Sequence, residues 1–159
     1  MLRVCEEQVV TAACESPLGT LLLGESGGKL RFLLFPPWEM PAGAAMGSSP
    51  LLDEAGLWLE RYFSGRDPGA LPPCEPWGTP FQRRVWEALS RVPWGETRSY
   101  GQLARELGTA ARAVGGALNK NPLPIFLPCH RILGADGSLT GFSDGLDIKR
   151  KLLELELIL

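Results

Sequence analysis

Histidine occurs once in these 159 residues, as His130, and cysteine four times, as Cys5, Cys14, Cys74 and Cys129, with no C-x-x-C pair. One histidine among irregularly spaced cysteines argues against a catalytic zinc site and against a disulfide framework. No apolar run approaches the roughly 20 residues that a membrane helix needs. Met1–Val10 carries two glutamates and no hydrophobic leader, so the reading is a cytoplasmic chain, or one associated with the nucleoid, without a membrane partner. No G-x-G occurs anywhere, which removes both the dinucleotide fingerprint and the phosphate-binding P-loop; no cofactor is expected.

What is present is unevenly spread. Net charge is −2, yet residues 1–76 hold 5 basic against 10 acidic side chains and residues 77–159 hold 11 against 8. Between Arg83 and Arg131 there are 8 basic and 3 acidic residues, and seven of the eight are arginine. Such an excess is what a phosphate backbone recruits, although a solvated basic face has the same composition.

The first half reads as strands at 9–13, 20–23 and 30–35, the last two flanking a Ser26-Gly27-Gly28 turn, then a loop over 36–50 and a helix over 51–63 ended by Gly65. Pro68, Pro72, Pro73 and Pro76 mark a linker from about residue 67, where the charge balance also changes. The second half is helical. Thr79-Pro80-Phe81-Gln82 and Ser99-Tyr100-Gly101-Gln102 are capping boxes, the second opening a helix over 100–107 that Gly108 can end. Thr109 is expected to cap a helix over 110–118, and Asp144 one running through Leu157. Two short helices about a glycine turn fit a helix-turn-helix, a pattern that many helical hairpins share without touching DNA.

Cys129-His130-Arg131 follows an apolar run stiffened by Pro122, Pro124 and Pro128. A cysteine beside an imidazole in a basic region is where a thiolate is favoured over a thiol, whereas a buried structural cysteine could precede a histidine by chance. The twelve residues Asn121-Pro122-Leu123-Pro124-Ile125-Phe126-Leu127-Pro128-Cys129-His130-Arg131-Ile132 resemble the active-site motif of the O6-alkylguanine-DNA alkyltransferases, N-P-x-P-x-x-x-P-C-H-R-V/I. The resemblance extends through residues 99–104 and 111–117, and through Gly137, Gly141, Ser143 and Glu156, covering essentially 79–156. In the first half it is carried only by Ser16-Pro17-Leu18-Gly19.

The resemblance implies an α/β (α+β) chain. Residues 1–76 would form a ribonuclease-H-like sheet-plus-helix domain, and residues 77–159 a mainly helical winged-helix or helix-turn-helix catalytic domain. It implies DNA repair by direct reversal, with an alkyl group moved irreversibly from O6-alkylguanine, and from O4-alkylthymine, onto Cys129. His130 would be the base acting through a water, Glu156 would orient His130, and Asn121 would tie the active-site turn to the helix-turn-helix. Tyr100 would crowd the phosphate beside the target, and Arg112 would fill the place vacated by a base swung out of the duplex. Ser143, Tyr100 and the backbone at Cys129 and Ile132 would read that base. Ala111 and Gly115 would let the third helix approach the minor groove, with Arg131 among the DNA-facing residues. The implied partner is duplex DNA carrying O6-alkylguanine, bound with little sequence preference by a monomer. Some members hold zinc in the first domain through cysteines and histidines; with no histidine there, no metal is expected.

The chain departs from the motif at Thr140-Gly141-Phe142-Ser143-Asp144-Gly145, where the family is richer in glycine. Thr140 and Asp144 would narrow the mouth of the pocket, unless Asp144 is only a helix cap. A lesion sensor without transfer, a helix-turn-helix regulator and a cysteine hydrolase are the rival classes. The first lacks the cysteine, the second leaves the P-C-H-R run unexplained, and the third would turn over repeatedly.

Overall fold

The computed structural model describes residues 8–158, in two units that meet between Trp77 and Gly78. In the first, β1 (Val9–Ser16), β2 (Gly19–Ser26), β3 (Lys29–Leu34) and β4 (Ala44–Met46) form a sheet in the order β3-β2-β1-β4. The two hairpins are antiparallel, and β4 pairs with β1 in parallel, Val9 opposite Ala44. The β2–β3 turn needs positive φ at both central residues, and Gly27 (+59°) and Gly28 (+76°) supply it. Gly24 serves packing instead: a Cβ there would lie 2.3 Å from the Phe32 ring, which shares a buried cluster with Val9 and Leu22.

Helix α1 (Pro50–Phe63) starts at Ser49, whose hydroxyl accepts from the Leu52 N–H. Its buried stripe, Leu52, Ala55, Leu59 and Tyr62, has helical spacing and packs on β1, β2 and β3. Two expectations change here. The loop over 36–50 contains β4, three residues held by pairing with β1 and by the Thr11 hydroxyl facing Met46 Sδ at 3.3 Å. The proline-rich stretch is anchored rather than free. Leu30 donates to the Pro73 carbonyl (2.8 Å) and accepts from Glu75 N–H (3.0 Å), and the Arg31 guanidinium lies 4.7 Å from the centre of the Trp77 ring.

The second unit contains α2 (Pro80–Leu89), β5 (Arg98–Ser99), α3 (Tyr100–Leu107), α4 (Ala111–Leu118), β6 (Ile132–Leu133) and α5 (Leu146–Leu155). Both capping boxes form, at Thr79/Gln82 and Ser99/Gln102, and Gly108 ends α3 in the left-handed conformation. The Trp86 indole donates to the Ala117 carbonyl at 2.9 Å and ties α2 to α4. Thr109 does not cap α4. Its N–H closes α3 onto the Ala104 carbonyl, and Ala110 takes the cap position without a side-chain bond. Asp144 does not cap α5 either; Gly145 stands there, and the helix stops at Leu155, with Leu157 at φ +61°. The parallel pair β5–β6 sets Arg98 opposite Ile132 and so brings the start of α3 beside the segment that carries Cys129. No described helix is long and apolar enough to cross a membrane.

Candidate active site

The segment from Asn121 to Pro128 leaves α4 and turns back over itself. Asn121 is its clasp: Nδ2 donates to the Leu127 carbonyl (2.8 Å), Oδ1 accepts from Leu123 N–H (2.9 Å), and its own N–H donates to Leu118 at the end of α4 (3.1 Å). Ile125 is held at φ +74°, a conformation that costs a β-branched residue about 1–3 kcal/mol. The apolar burial of Leu123, Ile125, Phe126 and Leu127 around it offsets that strain. The run ends in a single 3-10 turn, Cys129–Arg131.

Cys129 is 7% exposed. Burial pushes its thiol up to about 11; a hydrogen bond with Asn121 pulls it down, the Asp144 charge raises it, and the Lys149 charge lowers it. The thiolate expected from the neighbouring imidazole is therefore not the resting form, because desolvation outweighs every nearby cation. His130 is fully buried, and its Nε2 lies 2.5 Å from Glu156 Oε2. Burial holds the imidazole below its ordinary 6.5, against the pull of Glu156. Glu156, just past the end of α5, is 2% exposed. Burial alone would raise its carboxyl, but the bonds from His130 and Arg131 prevail and hold it at about 2.

Arg131 was expected to face DNA, and the structure corrects this. It is 6% exposed, with Nε on Glu156 Oε1 (2.8 Å) and Nη1 on the Val92 carbonyl (2.8 Å), so the guanidinium is turned to the interior rather than presented to a phosphate. Ile132 is fully buried, and its carbonyl accepts from the Lys149 ammonium at 2.8 Å.

Lys149 was missed. It is buried, and its ammonium also donates to the carbonyls of Thr140 (2.8 Å) and Gly141 (3.4 Å). Burial lowers it to about 8, and only an ionised Cys129 would work the other way. The signal was present in the sequence: Lys149, Leu152, Leu153 and Glu156 fall on one helical face, where a lone lysine among core positions needs a partner. The Tyr100 hydroxyl meets the same loop, donating to the Thr140 carbonyl at 2.7 Å. Its ring lies beside Gly115 of α4, where an added Cβ would stand 3.9 Å from Cε1.

Ala111 and Arg112 are exposed on α4, as are Ser143 and Asp144 on the loop before α5. Ser143 hydrogen-bonds the Asp144 carboxyl, which partial burial raises. Asp144 forms no cap on α5, and its charge is one of the influences that raise the Cys129 thiol. Among the described residues no group of three or more His, Cys, Asp or Glu side chains could hold a metal ion.

Residues 80–158 match the family model described as 6-O-methylguanine DNA methyltransferase, DNA binding domain. Over most of its length the chain is similar to methylated-DNA–protein-cysteine methyltransferases. That of Methanosarcina acetivorans is 43% identical over 91% of this chain and 96% of its own. The constitutive one of Bacillus subtilis is 40% identical over 91% and 93%. A crystal structure of Mycobacterium tuberculosis OGT in complex with DNA superposes with a TM-score of 0.84 at 41% identity, covering 93% of this chain and 92% of that one.

Proposed function

The chain belongs to the methylated-DNA–protein-cysteine methyltransferases, which repair DNA by alkyl transfer, and from that premise we propose that Cys129 is the alkyl acceptor, used once per molecule. One observation carries the assignment. Cys129 shares a single buried turn with His130, whose Nε2 is committed to Glu156. With Nε2 so bonded, Nδ1 is the nitrogen that accepts a proton, relayed from the thiol through a water.

The sulfur electron pair then attacks the alkyl carbon in line, a C–S bond forms, and the carbon–O6 bond breaks with its electrons going to the guanine. The guanine regains a proton at N1, so the thiol proton is in effect moved to the repaired base. The product is an uncharged thioether with no good leaving group, which makes the transfer irreversible and stoichiometric. Since Cys129 is almost enclosed, the sulfur cannot enter a base stack, and the alkylated base must leave the duplex to reach it. The same geometry would admit O4-alkylthymine, which presents an alkyl on an equivalent exocyclic oxygen.

For DNA, α4 offers an exposed face of Ala111, Arg112, Ala113 and Gly116, small enough to approach the minor groove, with Arg112 placed to occupy the vacated stack. The Tyr100 hydroxyl bonds Thr140 in the loop that also carries Ser143, and both residues would meet the flipped base. Backbone contacts of this kind give little sequence preference. Every group named for the chemistry lies in one unit of one chain, so a monomer suffices. A Cys129→Ser protein should retain binding to an alkylated duplex and leave the alkyl group on the DNA; transfer at an undiminished rate by this variant would refute the assignment.

A further inference from the structure

The basic excess between Arg83 and Arg131 divides by what each side chain meets. Arg91 pairs with Glu87 and Glu106 (3.9 and 3.3 Å), Arg98 with Glu96 (3.4 Å) and Arg131 with Glu156 (2.8 Å). Arg84 donates to the Leu107 carbonyl at the end of α3 (2.9 Å). Three of the seven arginines are thus paired with carboxylates inside the fold, and a fourth is tied to a carbonyl. Arg83, Arg105, Arg112 and Lys120 are exposed and have no hydrogen bond or ion pair among the described residues.

Arg105 stands out by its surroundings. Its neighbour Glu106 is drawn to Arg91 of α2 and supplies it no counter-ion. Its side chain runs back one turn along α3 to Gly101, where an added Cβ would stand 3.5 Å from Arg105 Nη1 and 3.9 Å from Ser99 Oγ. Glycine weakens a helix, and neither a left-handed φ nor a close backbone atom asks for it at 101. What its bareness provides is room for the guanidinium, since a longer side chain would occupy the same space. Gly101 directly follows Tyr100, whose ring lies against Gly115 of α4 and whose hydroxyl reaches the Thr140 carbonyl. An unpaired guanidinium is therefore set beside the residue that would meet the flipped nucleotide, on a different helix from Arg112. Its planar fork fits two oxygens of one phosphate, the anion that duplex DNA presents at every step. We propose that Arg105 is a second DNA-binding arginine, which takes the backbone phosphate beside the target nucleotide from over Gly101. This rests on the reading of the second unit as the DNA-binding part, with Tyr100 at the flipped base.

Binding of the whole protein to an undamaged duplex, followed by fluorescence anisotropy over a range of potassium chloride, reads the contact. Arg105→Gln should make the slope of log K against log salt shallower by about 0.9, the value of one phosphate contact. Arg105→Lys, which keeps the charge, should keep the slope. Position is read with a neutral methylphosphonate placed on one side or the other of O6-methylguanine, and single-turnover repair at sub-saturating protein. At one of the two positions it should slow the wild-type protein severalfold and Arg105→Gln no further. Reaction with the free O6-alkylguanine base, which has no phosphate, should be equal in Arg105→Gln and wild type. An unchanged salt slope in Arg105→Gln, a methylphosphonate effect that persists in full at both positions in that variant, or an equal loss on the free base overturns the proposal. Wild-type protein that bound duplex without salt dependence, or left the lesion unrepaired, would instead remove the DNA-binding reading beneath it.

Discussion

Acid should loosen the second unit through Glu156. The carboxyl sits at about 2 against an ordinary 4.5. At 1.36 kcal/mol per unit, that difference is worth roughly 3 kcal/mol. Since the folded value is the lower one, the stability is fully present above about 4.5 and is lost as pH falls toward 2. His130 adds an earlier loss of the same sign. Its folded value is below 6.5, so the unfolded chain takes up a proton that the folded chain refuses as pH drops below that point. Glu156→Gln removes the lower stage and leaves the Arg131 guanidinium buried without its counter-ion, so the variant should be less stable at pH 7 by about 3 kcal/mol. Urea unfolding followed at the amides of Leu152 and Leu153 in α5 would read this. For a slope of about 2 kcal/mol per molar, the midpoints should differ by roughly 1.5 M at pH 7 and by about half that or less at pH 3. An equal separation at both pH values, or none at pH 7, would refute the reasoning.

Three further outcomes are expected. The single-turnover transfer rate should be level above pH 7 and fall only at a pH below the ordinary imidazole value of 6.5, as His130 gains a proton; a rate that instead rises tenfold per pH unit from 7 to 10 would mean that solvent hydroxide, not His130, ionises the thiol. Arg112→Ala should slow repair in duplex DNA far more than reaction with the free O6-alkylguanine base, because a free base needs no support outside a helix; equal losses would make Arg112 structural. Replacing Asp144 and Thr140 by glycine should raise the ratio of benzyl to methyl transfer severalfold, since both stand on the loop before α5 and Asp144 caps nothing. An unchanged ratio removes both residues from substrate selection.

Features that depend on adjacent residues were legible in the sequence. Both capping boxes, the Gly27-Gly28 turn and the Gly108 stop are local, and each formed where the residue types demanded it. The twelve-residue run around Cys129 likewise marked one turn that the structure folds as a unit. Features decided by tertiary contact were not. β4 has three residues and exists only because β1 offers an edge. Thr109 and Asp144 have cap chemistry, but the N–H of one closes α3, and Gly145 takes the cap position of α5 in place of the other. Arg131 was placed among the DNA-facing residues because neither motif nor charge distinguishes an exposed arginine from one bonded to a buried glutamate. The thiol followed neither its imidazole neighbour nor the basic region, because burial is set by the fold.

Intact mass and peptide mapping after incubation with an excess of duplex containing O6-methylguanine test the central claim most directly. The account predicts a gain of one methyl group per protein molecule, on Cys129 and on no other cysteine, with one lesion repaired for each molecule consumed. Methylation of Cys5, Cys14 or Cys74 instead, or repair of several lesions per molecule, would contradict it.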